Sequence, residues 1–349
     1  METNPFVVSW WPKALADPAL FHVSLQTASL DEELRAQKGF PISETLMADS
    51  VSLLRRKIEE PSLAFQDETL NAVVTLAAIE HGKGNLEASR AHIDGVLRMV
   101  SVRGGISEVK RVSPLTARMI AWVAMLVTGS PQFPTQDDAG QGDGIDPTAQ
   151  WQSVSDESDG MGHLFGDDDL DPAMSIILVR LRTIFYRQRE TALTSTDMHD
   201  LTLFVIHRLL LLPPFLPTAT PRALISECLR YAMVLYMLII HGTTYYSLEV
   251  ITTTVLNKLD ANMVALRASP GQAHNALKLW IVIVSMAARS GAPQYESYAH
   301  LARGATAEMG LKTWDDAVSQ LESVLWIKTP QDRLFHHVWE TIHAASERQ

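Results

Sequence analysis

The stretch Asp67 to Ile106, DETLNAVVTLAAIEHGKGNLEASRAHIDGVLRMVSVRGGI, decides the fold. Asp67 is a suitable N-cap, and Leu70, Val73, Val74 and Ala77 fall on one face of a helix. Gly82 and Gly84 can supply the positive φ that ends that helix, and Asn85 can cap the next. In the second helix Ile93, Val96, Leu97 and Val100 repeat at i, i+3, i+4 and i+7, the spacing of a buried stripe. Arg103-Gly104-Gly105 then stops it. The periodicity predicts a helical hairpin.

Outward from this hairpin the pattern stays helical. Leu20, Val23, Thr27, Leu30 and Leu34 form one stripe, and residues 43 to 59 read as a helix ended before Pro61. Further helices are expected over 115–127, 173–190, 198–212, 224–241, 248–267, 273–289, 295–309, 313–326 and 331–346. Pro213-Pro214 stops one of them, since proline lacks the amide proton and clashes with the preceding turn. The β-branched run Val250 to Val255 has strand character, but nothing nearby reads as its partner. The expected fold is all-α: a single large multi-helix domain with one long disordered acidic loop. Its parts are an N-terminal helical part (1–130), the loop (131–172) and a C-terminal helical part of the same domain (173–349).

The loop stands out by composition. Residues 131 to 172 are rich in Gly, Asp, Ser, Gln and Pro, lack apolar periodicity and carry eleven acids with no Lys or Arg. Since the whole chain has 40 acids and 29 bases, the remainder holds 40 − 11 = 29 of each and is formally neutral. A neutral body offers no broad basic surface for phosphate, which argues against strong non-specific DNA binding. Arg55-Arg56-Lys57 and the group Arg180, Arg182, Arg187 and Arg189 read as solvated helix faces, with contact to the acidic segment as the alternative. One cysteine in 349 residues is no disulfide framework and fits a reducing compartment. No signal peptide is evident in Met1 to Trp11. The apolar runs 231–240 and 279–288 fall short of the ~20 residues that cross a bilayer and read as core helices.

Within the loop, Trp151, Met161, Leu164 and Phe165 are interspersed with acids. That is the composition of a disordered activation segment, in which charge keeps the apolar groups hydrated and available to a partner. These four are the candidate partner-binding residues; a solubilising loop is the plainer alternative.

Particular words in the chain add to this. Asp67-Glu68, Gly84-Asn85, His92-x-Asp94-Gly95, Met99-Val100 and Arg103-Gly104-Gly105 resemble the regulatory domain of fungal zinc-cluster transcription factors. So do Asn4-Pro5 and Asp17 to His22 upstream. Downstream the likeness continues in Cys228 to Ala232 with Leu235-Tyr236, in Leu279-Trp280 with Ala287-Ala288, and in Trp314, Leu321 and Leu325-Trp326. The resemblance implies an effector and dimerisation region in the nucleus, the cytoplasm being the alternative location. Its partners would be other proteins, such as a full-length zinc-cluster factor or a second copy. One departure matters. That family's DNA-reading module needs six cysteines around two zinc ions, and this chain has only Cys228. The expectation is a regulatory half that binds no zinc and no specific DNA by itself, either as a free-standing regulator or as a truncated gene product.

Catalytic, cofactor and metal readings are weaker. Asp167-Asp168-x-x-Asp171 matches the magnesium motif of all-α terpene and prenyl-diphosphate enzymes, the rival reading. It sits in a loop, though. The would-be second motif, Asp315 to Glu322, has its glutamate one residue early, and Arg230-Tyr231 precedes rather than follows it. As an EF-hand, Asp167-x-Asp169-x-Asp171 puts Pro172 at the glycine position. Glu340-x-x-His343 lacks the second copy a di-iron site needs. Gly140-x-Gly142-x-Gly144 lies among aspartates that repel phosphate. His92, Asp94, Arg103 and Cys228 read as structural, and Gly95 as a mark of close helix packing. No catalytic residue, cofactor or metal is assigned.

Overall fold

The computed structural model describes residues 5–154, 170–188, 193–215, 220–242, 246–268, 275–289 and 295–344. Among them lie sixteen helices and no strand; the one β-bridge joins Thr135 and Ile145. The helices form two compact units: residues 1–146 with 244–251, and residues 147–243 with 252–349.

The first unit holds α1 (Pro5–Ala16), α2 (Pro18–Ala36), α3 (Pro41–Glu59), α4 (Asp67–Gly82), α5 (Leu86–Val102), α6 (Ile106–Val112) and α7 (Pro114–Thr128). Helix α4 is its centre. Every residue from Thr69 to His81 is buried, so the helix is covered all round rather than along one stripe. It packs against α2, α5 and α7. Helix α5 keeps the predicted amphipathic form: Ile93, Val96 and Val100 are buried, while Arg90, Asp94 and Arg98 are exposed.

The hairpin forms as expected, with three changes of detail. Gln66 is the N-cap of α4, so Asp67 is its first helical residue and its carboxylate is available elsewhere. The turn's positive φ belongs to Gly84, at +81°. Gly82 stays helical and lets α2 approach, because an added Cβ would lie 3.1 Å from Leu30 Cδ2. A Cβ added at Gly95 would meet nothing within 4 Å, contrary to its reading as a close-packing mark. Asn85 caps α5 as predicted, and its amide also donates to Glu80 Oε2 at 2.6 Å, closing the turn.

The second unit holds α8 (Ala149–Gln152), α9 (Pro172–Arg187), α10 (Ser195–Leu211), α11 (Pro221–His241), α13 (Asn275–Ala287), α14 (Tyr295–Met309), α15 (Trp314–Val324) and α16 (Asp332–Ala344). Helix α12 (Glu249–Ala268) begins in residues assigned to the first unit and continues in the second. It contains the β-branched run, which is therefore helical, and buries Ile251, Val255, Leu259 and Met263 at four-residue spacing. Helix α13 packs against α11, α14, α15 and α16. The apolar part of α11 spans Arg222–His241, longer than the sequence reading had it and long enough to cross a bilayer. It is mostly buried among its neighbours, as a core helix is. Aromatic rings fill the space between α11, α13 and the C-terminal helices: Tyr236 lies 5.3 Å from Trp280 and 6.0 Å from Phe335, and Trp326 lies 4.9 Å from Phe335. Trp280 Nε1 donates to the Leu325 carbonyl at 2.6 Å, and the Ile327 amide donates to Tyr236 Oη at 2.9 Å.

The expectation of a loop disordered from 131 to 172 is corrected for its described parts. Residues 131–154 are folded. Phe133, Ile145, Trp151 and Val154 are buried, and Ile145 exchanges backbone hydrogen bonds with Pro134 and Gln136. Composition misleads here because a few apolar side chains and three glycines are enough to fold a short, tightly turned segment. Residues 155–169 lie outside the described residues.

Candidate functional site

In the first unit the words that carry the family likeness meet at one joint. Arg103, where α5 ends, donates from Nη1 to Asp67 Oδ1 at 2.6 Å. Lys13 of α1 donates to Asp67 Oδ2 at 3.3 Å and to Ser113 Oγ, ahead of α7, at 3.2 Å. Burial pushes the Asp67 carboxyl up, but Arg103, Ser113 and Lys13 outweigh it and hold the group below the usual carboxylate range. Four helices are thus tied by one carboxylate. A second knot secures the glycine loop. Ser107 Oγ donates to Asp143 Oδ1 at 2.8 Å and accepts from the Gly144 amide at 2.9 Å, while Lys110 pairs with Asp146. Gly144 has φ +117°, and a Cβ there would fall 2.3 Å from the Pro134 carbonyl oxygen. The Gly140-x-Gly142-x-Gly144 run is therefore a folded turn held by its own aspartates.

In the second unit a clamp holds the start of the acidic segment. Thr148 caps α8 by accepting from the Trp151 amide at 3.2 Å. Trp151 is fully buried, edge-on to Phe204 with centroids 5.2 Å apart. The Arg180 guanidinium lies 5.7 Å from the Trp151 ring centroid, and its Nη1 donates to the carbonyls of Trp151 and Val154, each at 2.9 Å. Arg187 reaches the Ser153 carbonyl at 3.4 Å. The segment re-enters at buried Leu170. The Asp171 amide donates to Ser226 Oγ at 2.8 Å, and the Asp171 carboxylate caps α9 at the Ala173 amide.

Two expectations change here. Trp151 is unavailable to a partner, because the fold has already covered it. Arg180 is buried and anchors backbone carbonyls of the acidic segment, the alternative given for that group, rather than lying on a solvated face. Met161, Leu164 and Phe165 lie outside the described residues, as do Asp167, Asp168, Asp169 and Arg189. The signals for the clamp were legible in part: Thr148 stands three residues before Trp151, and Asp171-Pro172 is a helix-start pair.

The short chemical motifs have structural uses. Asp316 completes a capping box with Thr313, which lowers its pKa through hydrogen bonds from the Thr313 and Lys312 amides and the Thr313 hydroxyl. Arg230 donates to the carbonyls of Leu210, Leu212 and Pro213, closing the C-terminal end of α10. Glu340 lies 3.8 Å from both His336 and His337, while His343 Nδ1 turns to the Trp339 carbonyl. Cys228 is fully buried, and burial with the nearby Glu227 pushes its thiol up to about 12, so it is no reactive thiolate. His92 is half-buried, and burial lowers its pKa against the opposing pull of Glu80. His199 and His241 meet at 3.0 Å. Among the described residues no group of three or more His, Cys, Asp or Glu side chains could hold a metal ion.

Residues 1–166 match the family described as the fungal specific transcription factor domain. That stretch contains α1 to α8, including the Asp67 joint, and ends inside the acidic segment. The likeness read at Cys228–Tyr236, Leu279–Trp280 and Trp314–Trp326 lies beyond it. No curated protein and no solved structure matches the chain.

Proposed function

From a fungal-specific transcription factor domain over residues 1–166, we propose that this chain is a transcription regulator that works through other proteins, in the nucleus. The match over residues 1–166 supports the transcription-regulator character. The means are our reading: pairing with a full-length zinc-cluster factor or with a second copy, and no DNA reading of its own. Two features support it. The only cysteine is buried with its thiol raised, so no thiolate-held zinc module forms from these residues. The formal charge is −11, with the bases matched by acids outside the acidic segment, so little attracts phosphate.

The observation that carries the proposal is the Asp67–Arg103 joint. It makes the family's most recognisable words the internal frame of a helical unit rather than a catalytic cleft. Met161, Leu164 and Phe165, set among six acids between residues 155 and 169, remain the proposed contact for a co-regulator. The test is direct. Purified chain should contain no stoichiometric zinc and should bind a random DNA library without enriching any sequence. Tight binding to one enriched sequence would overturn the proposal.

A further inference from the structure

We infer that the outer face of α9 is a seam for one amphipathic helix of a partner protein, apolar along its contact stripe and acidic along both flanks. Ile176, Val179, Thr183 and Tyr186 follow one another at i, i+3, i+7 and i+10. That is the a and d spacing along which two helices meet. Ile176 and Tyr186 are 45% and 58% exposed, and Val179 and Thr183 between them are half-buried. The Thr183 hydroxyl donates to the Val179 carbonyl at 2.9 Å, so the stripe asks for no polar partner of its own. Among the described residues of the second unit, only Ile176, Tyr186 and Leu211 are large, apolar and exposed. Scattered single residues of that kind are ordinary; here a half-buried stripe joins two of the three.

The flanks select the occupant. In the same register Arg182 stands at the g position on one side of the stripe and Arg187 at the e position on the other. No Asp or Glu occurs in the helix. Arg182 is half-buried, its Nε is enclosed without a hydrogen-bond partner, and burial lowers its pKa with no carboxylate acting against it. Arg187 is exposed and reaches a carbonyl, that of Ser153, rather than a carboxylate. A guanidinium drawn partly out of water without a counter-charge carries a cost that a partner's carboxylate would remove. Two copies of α9 would set arginine against arginine, so this seam rejects a second copy of the chain and selects acidic flanks. Arg180 takes no part, since it turns to the carbonyls of Trp151 and Val154.

Area sets the strength. One helix face covers less than the roughly 800 Å² per partner of a stable interface, so binding should be weak, with a Kd on the order of 10–100 µM. The seam belongs to α9 alone and does not depend on the regulatory role.

The experiment uses the full chain and two labelled peptides of three heptads, both with Leu at a and d, one with Glu and the other with Lys at e and g. Fluorescence anisotropy is read at about 0.15 M salt, where long-range charge effects are largely screened. The chain's formal charge of −11 favours the Lys peptide, so a preference for the Glu peptide can only come from a local basic face. The expected result is that the Glu peptide binds at least about tenfold tighter than the Lys peptide. Arg182→Glu should reverse that order. Tyr186→Ser should weaken the Glu peptide about tenfold and keep the wild-type circular dichroism, because Tyr186 is exposed. Equal binding of the two peptides overturns the inference. So does no binding by either up to about 1 mM, or an Arg182→Glu chain that keeps the wild-type preference. A further variant changes Asp156, Glu157, Asp159, Asp167, Asp168 and Asp169 to Asn or Gln. Unchanged affinity for the Glu peptide leaves the seam to a partner. A gain of about tenfold would assign it to the chain's own acidic segment and overturn the partner helix.

Discussion

Arg103 Nη1 lies 2.6 Å from Asp67 Oδ1, thirty-six residues away in the chain, and this contact binds the end of α5 to the start of α4. Both side chains are about 15% exposed. Removing one member of so enclosed a pair leaves the other charge without compensation. Asp67→Ala should destabilise the protein by about 2–4 kcal/mol, read as a lower urea midpoint at unchanged slope. The carboxyl's pKa is lowered by folding, so its contribution is complete above the unfolded value near 3.8 and is lost as pH falls through the folded value. At the acid end the variant and the wild type should therefore converge.

Histidine acts at higher pH. His207 is fully buried on α10, its Nδ1 paired with the Leu203 carbonyl at 2.8 Å, and burial lowers its pKa to about 4. Between its ordinary value of 6.5 and about 4, the unfolded chain takes up a proton that the folded one refuses. Stability is complete above pH 6.5 and falls on acidification, by up to about 3 kcal/mol at pH 4. His81, His92 and His241, also lowered mainly by burial, act in the same direction. Urea midpoints measured from pH 7.5 to 4.5 should fall steadily, and His207→Gln should shallow the slope.

The glycines give two changes of opposite sign. Gly144→Ala places a Cβ against the Pro134 carbonyl at a positive φ, and it should cost about 3 kcal/mol or more. Gly95→Ala meets open space inside a helix and should stabilise by up to about 1 kcal/mol. Thermal unfolding of both variants checks the pair together, since a shift of the same sign in both would refute the local geometry.

Arg180→Ala would take from the Val154 carbonyl the guanidinium donor it has inside the fold and from the Trp151 carbonyl one of its donors, at a cost of about 2–4 kcal/mol. Limited proteolysis is the sharper measure. A cut made between Val154 and Leu170 in the wild-type chain should leave two pieces that stay associated, because both ends of that interval are held in the second unit. In the variant, cutting should extend back toward Pro147. Wild-type pieces that separate on a sizing column would contradict the clamp.

The all-α class was legible because α4, α5 and most later helices carry long apolar periods with proline or capping residues at their ends. Helices α1, α6 and α8 were not read from the sequence. Each is short or interrupted: Pro12 lies inside α1, α6 has seven residues and α8 has four. The acidic stretch misled because composition averages over forty residues, whereas folding there turns on Phe133, Ile145 and Trp151 finding cover. Trp151 looked like a partner contact for the same reason. Its burial depends on Arg180 and Phe204, more than twenty residues away, and single-sequence spacing does not report such pairings.

The proposed role, transcriptional regulation through protein partners, is tested most directly by tethering. The full chain is fused to an unrelated DNA-binding module and expressed in a fungal host carrying a reporter with the matching operator. The account predicts that transcription changes when the fusion is tethered, and that the change shrinks when Met161, Leu164 and Phe165 are replaced by serine. A stable, nuclear, operator-bound fusion that leaves the reporter at its untethered level would contradict it.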